Sequence, residues 1–140
     1  MWKCPKCNRE FLKNNQSHSC LNYPIENHFK GKEDIGKPLF YSLVKKIEDN
    51  IGPLKIESLP CCIHLLSNYT FSGVWIGKDK IKLDFRLDNK IKNERIIKEV
   101  HISTNRYIYY LEISDDKEID EQLLDWIRTA YNANFKSTPL

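Results

Sequence analysis

The sequence of 140 residues lacks any long apolar run, any internal repeat and any low-complexity segment. A membrane-spanning helix needs about 20 consecutive apolar residues, so we expect no membrane insertion. The first four residues, Met1 to Cys4, lead into polar sequence rather than into an apolar signal segment. We therefore expect a cytoplasmic protein, and its 41% hydrophobic and 29% charged residues are typical of a globular domain.

The chain also lacks a strong excess of either charge. Its formal net charge is +3, with the surplus of Lys and Arg in residues 1–100 and a mildly acidic stretch over residues 101–140. Long-range attraction of an anionic partner is therefore expected to be modest and to weaken with salt. The net charge by itself does not identify a nucleic-acid-binding protein.

Cysteine is present in an odd number, five, and without a secretion signal a reducing compartment is favoured over a disulfide framework. Four candidate metal ligands lie near the start of the chain: Cys4, Cys7, His18 and Cys20. The two-residue gap between Cys4 and Cys7 allows one tight turn to direct both sulfur atoms toward an ion. In extended chain, His18 and Cys20 project to the same side. Three thiolates and one imidazole favour zinc over iron or copper.

Four protein ligands fill a tetrahedral Zn²⁺ and leave no position for water or substrate, so the predicted zinc is structural. Residues 1–22 contain too few large apolar side chains to form a core, and zinc binding energy of about 10–16 kcal/mol would supply the missing stabilisation. We predict a zinc knuckle over residues 1–22 and an α+β domain over residues 23–140. The alternative is a redox-active Cys-x-x-Cys pair, although such pairs normally begin a helix that follows a strand.

Beyond residue 22 the hydrophobic pattern predicts an α+β fold, with an antiparallel sheet of about five or six strands packed with two main helices. The first main helix is expected to begin at Pro38 and to stop at Gly52-Pro53. The second is expected to begin at Asp115, with Glu118 three residues on in a capping box. Strands are expected over residues 55–57, 61–66, 70–76, 80–88, 96–103 and 107–113.

Several residues outside the cysteine-rich start could carry chemistry, but each also has a structural explanation. His28 precedes the basic Lys30-Gly31-Lys32 and could bind an anion, or it could simply end a short helix. His64 and His101 lie in strand patterns, where structural histidines are common. Cys61 and Cys62 are expected on opposite faces of a strand. A stacking surface could be formed by Tyr107, Tyr109 and Tyr110, but core packing accounts for most of these rings. Phosphates could be contacted by Lys80, Lys82 and Arg86, but Asp84 and Asp88 share their strand face and favour cross-strand ion pairs.

The acidic residues before the last helix have a similar structural explanation. They crowd the expected helix start, where the helix dipole favours negative charge. A hard cation is the alternative ligand for this group: Asp115, Asp116, Glu118, Asp120 and Glu121.

The start of the chain resembles an uncharacterised bacterial zinc-knuckle family, domain of unknown function 5655. The resemblance rests on these segments: Met1-Trp2, Cys4-Pro5-x-Cys7, Asn15-Gln16-Ser17-His18-Ser19-Cys20 and His28-Phe29-x-Gly31-Lys32. It continues more loosely through Gly52-Pro53, the strand at Phe71, His101 and Trp126-x-x-x-Ala130-Tyr131. Asn8 departs from the glycine that relatives often carry there. The resemblance implies a small bacterial zinc-binding protein and transfers no catalytic residue.

The sequence therefore predicts a zinc-binding protein of unknown cellular role that acts as a binding module and not as an enzyme. Nucleic acid is the favoured partner class, because basic residues surround the predicted metal: Lys3, Lys6, Arg9 and Lys13. A protein partner, or a structural role within a larger assembly, is also open. The alternative is an enzyme or small-molecule-binding protein with a pocket in the α+β body, lined by His28, His101 or a tyrosine. The sequence indicates neither a reaction nor an oligomeric state.

Overall fold

The computed structural model describes residues 2–5, 10–15 and 23–133. Within these residues, a two-stranded N-terminal hairpin precedes an α+β body with three α-helices and a six-stranded antiparallel sheet. The predicted α+β class and antiparallel sheet are confirmed, whereas the zinc knuckle stays a prediction. The helices are α1 (Glu26–Phe29), α2 (Gly36–Asn50) and α3 (Glu121–Asn132), with a 3₁₀ turn over Asp116–Glu118. The strands are β1 (Trp2–Lys3), β2 (Glu10–Phe11), β3 (Lys55–Ser58), β4 (Ile63–Leu66), β5 (Thr70–Ile76), β6 (Ile81–Leu87), β7 (Lys98–Ser103) and β8 (Arg106–Ile113).

The body's sheet runs in the order β3-β4-β5-β6-β8-β7, and all neighbouring strands are antiparallel. Strands β3 to β6 follow one another as hairpins. The chain then forms the edge strand β7 and returns as β8, which lies between β6 and β7. The longest pairing joins β6 to β8, from Ile81 opposite Ile113 to Leu87 opposite Tyr107.

One face of this sheet packs against the helices. Alternation along β6 is the clearest example, because Ile81, Leu83 and Phe85 are buried in the core whereas Lys82 and Arg86 lie on the opposite face and are half-buried. Side chains from all three helices belong to the same hydrophobic cluster as the core-facing strand residues. In the described part of the chain, the helices therefore lie on one side of the sheet and leave its other side without a helix.

Helix α2 begins at Gly36, two residues before the expected Pro38. Proline is tolerated in the first turn of a helix because its missing amide has no intrahelical acceptor there. Gly36 lies against the turn after β5, where an added Cβ would collide with the backbone oxygen of Gly77. The close approach of these two backbones explains the glycine at this helix start.

The start of α3 also differs from the sequence prediction. Asp115 caps only the 3₁₀ turn, whereas Asp120 caps α3 by accepting a hydrogen bond from the Leu123 amide at 3.0 Å. Between the two caps, Ile119 leaves helical backbone and is buried. Asp120 has a second partner that Asp115 lacks in the described chain, since Nη1 of Arg95 lies 3.0 Å from its Oδ1. The prediction of a single helix from Asp115 is therefore wrong.

The N-terminal hairpin is small. β1 and β2 pair through two positions, with Trp2 opposite Phe11 and Lys3 opposite Glu10. Glu10 also reaches the body, where its Oε2 lies 3.7 Å from Nζ of Lys55. Residues 16–22, where the predicted knuckle ends, lie outside the described residues, so the division at residue 22 stays a prediction.

None of the helices in the described ranges combines the length and the apolar character that a bilayer crossing requires.

Candidate functional site

The predicted metal site is described only at its first ligand. Cys4 follows β1 directly, and its side chain is 3% exposed, while Pro5 begins the turn that leaves the strand. Cys7, His18 and Cys20 lie outside the described residues. Within the described ones, no three His, Cys, Asp or Glu side chains are grouped to hold a metal ion. The zinc site therefore stays a prediction, and the hard-cation alternative at the start of α3 gains no ligand group.

A second candidate site is the side of the sheet opposite the helices, which we call the helix-free face. Cross-strand register aligns one residue from each of the six strands in a row, with Gly73 placed opposite Asp84 by the flanking pairs. This row consists of Glu57, His64, Gly73, Asp84, Tyr110 and Lys98. The row next to it on the same face consists of Trp75, Lys82 and Glu112. The row on its opposite flank, still on this face, includes Arg86 paired with Ile108. Polar and aromatic side chains thus dominate this face.

Asp84 is the buried centre of the helix-free face, with 5% of its surface exposed. Its Oδ1 accepts a hydrogen bond from the Gly73 amide at 2.6 Å, and its backbone carbonyl accepts one from the Ser72 hydroxyl at 2.5 Å. Burial raises the pKa of the Asp84 carboxyl, although the Gly73 amide and the charges of Arg86 and His64 oppose that rise. Asp84 therefore takes up a proton more readily than a surface carboxylate does.

Gly73 leaves space beside this carboxylate. A Cβ at this position would lie 3.2 Å from Oδ2 of Asp84 and 3.3 Å from Cη2 of Trp75. The indole edge of Trp75 therefore packs over the glycine. Glycine inside a strand often marks such a close approach, and here it positions an aromatic ring beside a buried carboxylate.

Two aromatic rings and two lysines alternate on the same face. The ring centroids of Trp75 and Tyr110 are 5.9 Å apart with an interplanar angle of 42°. Nζ of Lys82 lies 4.7 Å from the Trp75 ring centroid and 5.8 Å from that of Tyr110, and Nζ of Lys98 lies 5.5 Å from Tyr110. Burial and the nearby Asp84 charge raise the pKa of the Tyr110 hydroxyl, so this ring is neutral at ordinary pH.

The carboxylates on the helix-free face lie beside a histidine or a lysine, or are buried. Oε1 of Glu57 lies 3.7 Å from Nδ1 of His64, and Oε2 of Glu112 lies 3.1 Å from Nζ of Lys80. The cross-strand ion pair expected for Lys80 is thus present, whereas Lys82 contacts aromatic rings instead. Among the described residues, Arg86 forms no ion pair, and its buried Nε has no hydrogen-bond partner.

Cys61 and Cys62 precede β4 and do not lie within it. The amide of Leu59 donates to the carbonyl of Cys62 at 2.9 Å, which keeps these residues in a turn. Cys61 is exposed and Cys62 is buried, but their Sγ atoms are only 3.3 Å apart. The expectation that they point to opposite faces of a strand is therefore wrong. Burial and the Cys61 thiol raise the pKa of Cys62 to about 12, so Cys62 is not a reactive thiolate.

His28 lies in the last turn of α1, as its structural explanation predicts. Burial lowers its pKa against an opposing hydrogen bond to the backbone of Leu59, and its ring packs edge-on against Tyr23 at 5.0 Å. In the basic loop that follows, the amides of Gly31 and Lys32 each donate to the Glu33 carboxylate at 3.0 Å. The Glu33 carboxylate therefore already accepts the hydrogen bonds that these amides could donate to an external anion.

His101 and the three neighbouring tyrosines of β8 lie in different environments on the sheet. His101 is exposed and stacks on Tyr107, with ring centroids 4.4 Å apart. Tyr109 is buried in the core and its hydroxyl accepts a hydrogen bond from the Ile91 amide at 2.8 Å. Only Tyr110 of the three neighbouring tyrosines lies on the helix-free face, as strand alternation predicts.

A groove of about 910 Å³ lies between the hairpin and the body. Tyr69 and Tyr131 line it together with apolar and amide side chains, but neither His28 nor His101 does. The Tyr131 hydroxyl donates to the carbonyl of Pro53 at 2.5 Å. Among the described residues, the lining also includes Lys55 but no histidine, cysteine or carboxylate.

Sequence reasoning missed Gly73, Trp75 and the burial of Asp84. The available signal was a glycine in the middle of a strand pattern, which indicates either a bulge or a close contact. The partner of that glycine lies in the next strand, and only the pairing of β5 with β6 reveals it. The site therefore depends on register, which local sequence patterns specify weakly.

Comparison with protein families matches residues 25–134 to the family model described as Domain of unknown function (DUF5655). Neither a curated protein nor a solved structure matches the chain. The matched range contains the whole α+β body and the helix-free face, and it begins after the predicted metal ligands. The chain therefore belongs to the family Domain of unknown function (DUF5655).

Proposed function

We propose that this protein is a non-enzymatic binding module for nucleic acid, with a structural zinc ion that holds its N-terminal segment in place. The ligands of the zinc are Cys4, Cys7, His18 and Cys20. The body supplies a stable sheet, and the metal fixes the short hairpin beside it.

The burial of Cys4 supports the metal part of the proposal. An isolated two-stranded hairpin is marginally stable in water, and each strand of this one has only two residues. Cys4 is nevertheless 3% exposed directly after β1. A Cys-x-x-Cys turn leaving a short strand suits a tetrahedral zinc, and four protein ligands make that zinc structural.

The charge distribution on the helix-free face is the observation that carries the nucleic-acid part. Lys82, Arg86 and Lys98 form no ion pair within the described residues, whereas Glu112 is paired with Lys80 and Glu57 lies beside His64. These three cations lie on a side of the sheet that no helix of the described chain covers. Phosphates are the natural counterions of such a surface.

Metal content tests the first part of the proposal. We expect one zinc per chain by elemental analysis of the purified protein, and none after Cys4→Ser. Cys61→Ser is the matched control, because Cys61 is an exposed thiol outside the predicted ligand set. Absence of zinc from the wild-type chain, or its retention in Cys4→Ser, contradicts the metal assignment.

Fluorescence anisotropy with labelled oligonucleotides tests the second part. We expect binding at 50 mM salt that weakens at 200 mM salt, because neutralised phosphates release counterions. Equal affinity at both salt concentrations, or no binding at 50 mM salt, contradicts the nucleic-acid assignment. The zinc result is independent of this outcome.

A further inference from the structure

We propose that the helix-free face binds single-stranded nucleic acid, with unpaired bases stacked on Trp75 and Tyr110 and phosphates held by Lys82, Arg86 and Lys98. This inference rests on the proposed nucleic-acid function and adds the form of the nucleic acid and the surface that binds it.

The two rings form a continuous platform that bases can cover. Trp75 lies on β5 and Tyr110 on β8, and the rings meet across β6 with centroids 5.9 Å apart. Both are half-buried and therefore fixed at their inner edges while a part of each ring remains accessible. Base–aromatic stacking tolerates any sequence because every base has a π-face.

Lysine side chains lie over these rings. Lys82 lies over Trp75 and Tyr110, and Lys98 lies over Tyr110. A cation over an exposed ring contributes less than a stacked base does, so a base can displace either ammonium group. The displaced lysines have flexible side chains that can reach the phosphates on either side of the stacked base.

Arg86 adds a phosphate-binding group beside the platform. Its half-buried guanidinium lies on the helix-free face and forms no ion pair within the described chain, so its Nη atoms can bind a phosphate oxygen. Asp84 offsets part of this positive charge, but burial favours its neutral form, so it does so less than a surface carboxylate would. The face is therefore complementary to a phosphate backbone.

Gly73 fixes the position of the platform. A side chain here would press on Trp75 at 3.3 Å and on Asp84 at 3.2 Å. The indole therefore depends on the absence of a Cβ, which makes Gly73 a positioning residue. A duplex hides its base faces in its own stack, so such a platform can accept only unpaired bases.

The test compares a fluorescein-labelled 12-nucleotide single strand with a hairpin duplex of equal phosphate number, by anisotropy at 50 mM salt. We expect at least 10-fold tighter binding of the single strand. Trp75→Leu and Tyr110→Leu should each weaken it about 5- to 100-fold. Tyr41→Leu is the control, since Tyr41 is an exposed aromatic residue on α2.

A second pair of variants guards against a loss of folding in the aromatic ones. Lys82→Gln with Lys98→Gln should lower the slope of log affinity against log salt by about 1.4 in magnitude, since each phosphate contact on a single strand contributes about 0.7. Lys45→Gln with Lys117→Gln removes the same charge from the helical side and should leave the slope unchanged.

The outcomes separate the two proposals. If the wild-type protein binds nucleic acid but the Leu and Gln variants bind it equally well, another surface is responsible and this inference is wrong. Equal affinity for the duplex and the single strand also overturns it. If the wild-type protein binds no nucleic acid at 50 mM salt, both the proposed nucleic-acid function and this inference fail, while the zinc assignment is unaffected. Self-association through Trp75, detected by light scattering and unaffected by the oligonucleotide, would assign the face to a second copy instead.

Discussion

The N-terminal hairpin and the sheet body differ in what can stabilise them. The body buries a continuous cluster that includes Phe40, Leu43, Phe85 and Ile127, and area burial of this kind is the main favourable term in folding. The hairpin contributes two short strands and one buried thiol at Cys4. The difference indicates that a metal requirement should be confined to the first part of the chain.

The largest expected effect separates the two regions directly. Removal of zinc by a chelator, or Cys4→Ser, should make residues 1–22 accessible to protease while the body keeps its melting temperature. The reason is that about 10–16 kcal/mol of metal-binding energy acts on the knuckle alone. Limited proteolysis and circular dichroism are the measurements, with Cys61→Ser as control. A body that melts upon chelation would show that the two regions are one cooperative unit.

The converse change should damage only the body. Leu43→Ala removes a fully buried side chain that faces the sheet from α2, and we expect a loss of about 2–5 kcal/mol in the free energy of unfolding. Urea denaturation measures that loss, and elemental analysis should still find one zinc per chain. Ile97→Ala is the control at a 55% exposed position, where the expected change is below about 0.5 kcal/mol. Loss of zinc from Leu43→Ala would contradict the separation.

A smaller effect tests the two caps before α3. Asp120→Ala should cost about 1–2 kcal/mol, because it removes the cap of the Leu123 amide and the partner of Arg95. Asp115→Ala should cost less, because it caps only the 3₁₀ turn. Thermal denaturation of both variants checks the order. The reverse order would restore Asp115 as the start of the helix.

The smallest effect is a pH dependence within the body. Burial raises the pKa of Asp84, so between its unfolded and folded pKa values the folded protein keeps a proton that the unfolded chain has lost. Stability from this group therefore falls as pH rises through that interval. Asp84→Asn removes the effect, so its stability relative to wild type should increase from pH 4 to pH 7 in urea denaturation.

Asp116 provides the matched control with the opposite sign. Hydrogen bonds from Ser42 and Lys46 lower the pKa of its carboxyl. Stability from Asp116 is therefore present above its unfolded pKa and is lost as pH falls through its folded pKa. Asp116→Asn should therefore lose stability relative to wild type as the pH rises from 2 to 4, and the difference should then stay constant up to pH 7. The same trend in both variants would contradict the assignment of Asp84.

Local pattern predicted most of the fold and little of the helix-free face. The alternation over residues 80–88 gave β6 almost unchanged, and Gly52-Pro53 ended α2 as expected, because both signals lie within one element. The local sequence does not show whether Asp115 or Asp120 caps α3, because both are aspartates at the start of the helical pattern. The ion pair with Arg95, which favours Asp120, is a tertiary contact. The contact of Asp84 with Gly73 joins residues 11 positions apart and requires knowledge of strand pairing.

The predicted zinc ligands show the reverse relation between sequence and structure. Their spacing is a strong local signal, whereas only Cys4 of the four lies within the described residues. Trp75 and Tyr110 lie on strands that are not even neighbours, and no spacing rule connects them. A metal site built from one short segment can therefore be predicted from ligand spacing, whereas a surface assembled across a sheet has no such local signal.

The two edge strands of the body carry features that hinder the pairing of further strands with its sheet. β3 carries Lys55 and Glu57, and β7 carries Lys98 and Glu99, so a strand from another molecule would have to pair alongside charged side chains at either border. The pairing of β7 with β8 also shifts between His101 and Ser103, which interrupts the regular ladder at that border. These devices protect the protein against edge-to-edge aggregation, so it can expose one broad side of its sheet without polymerising.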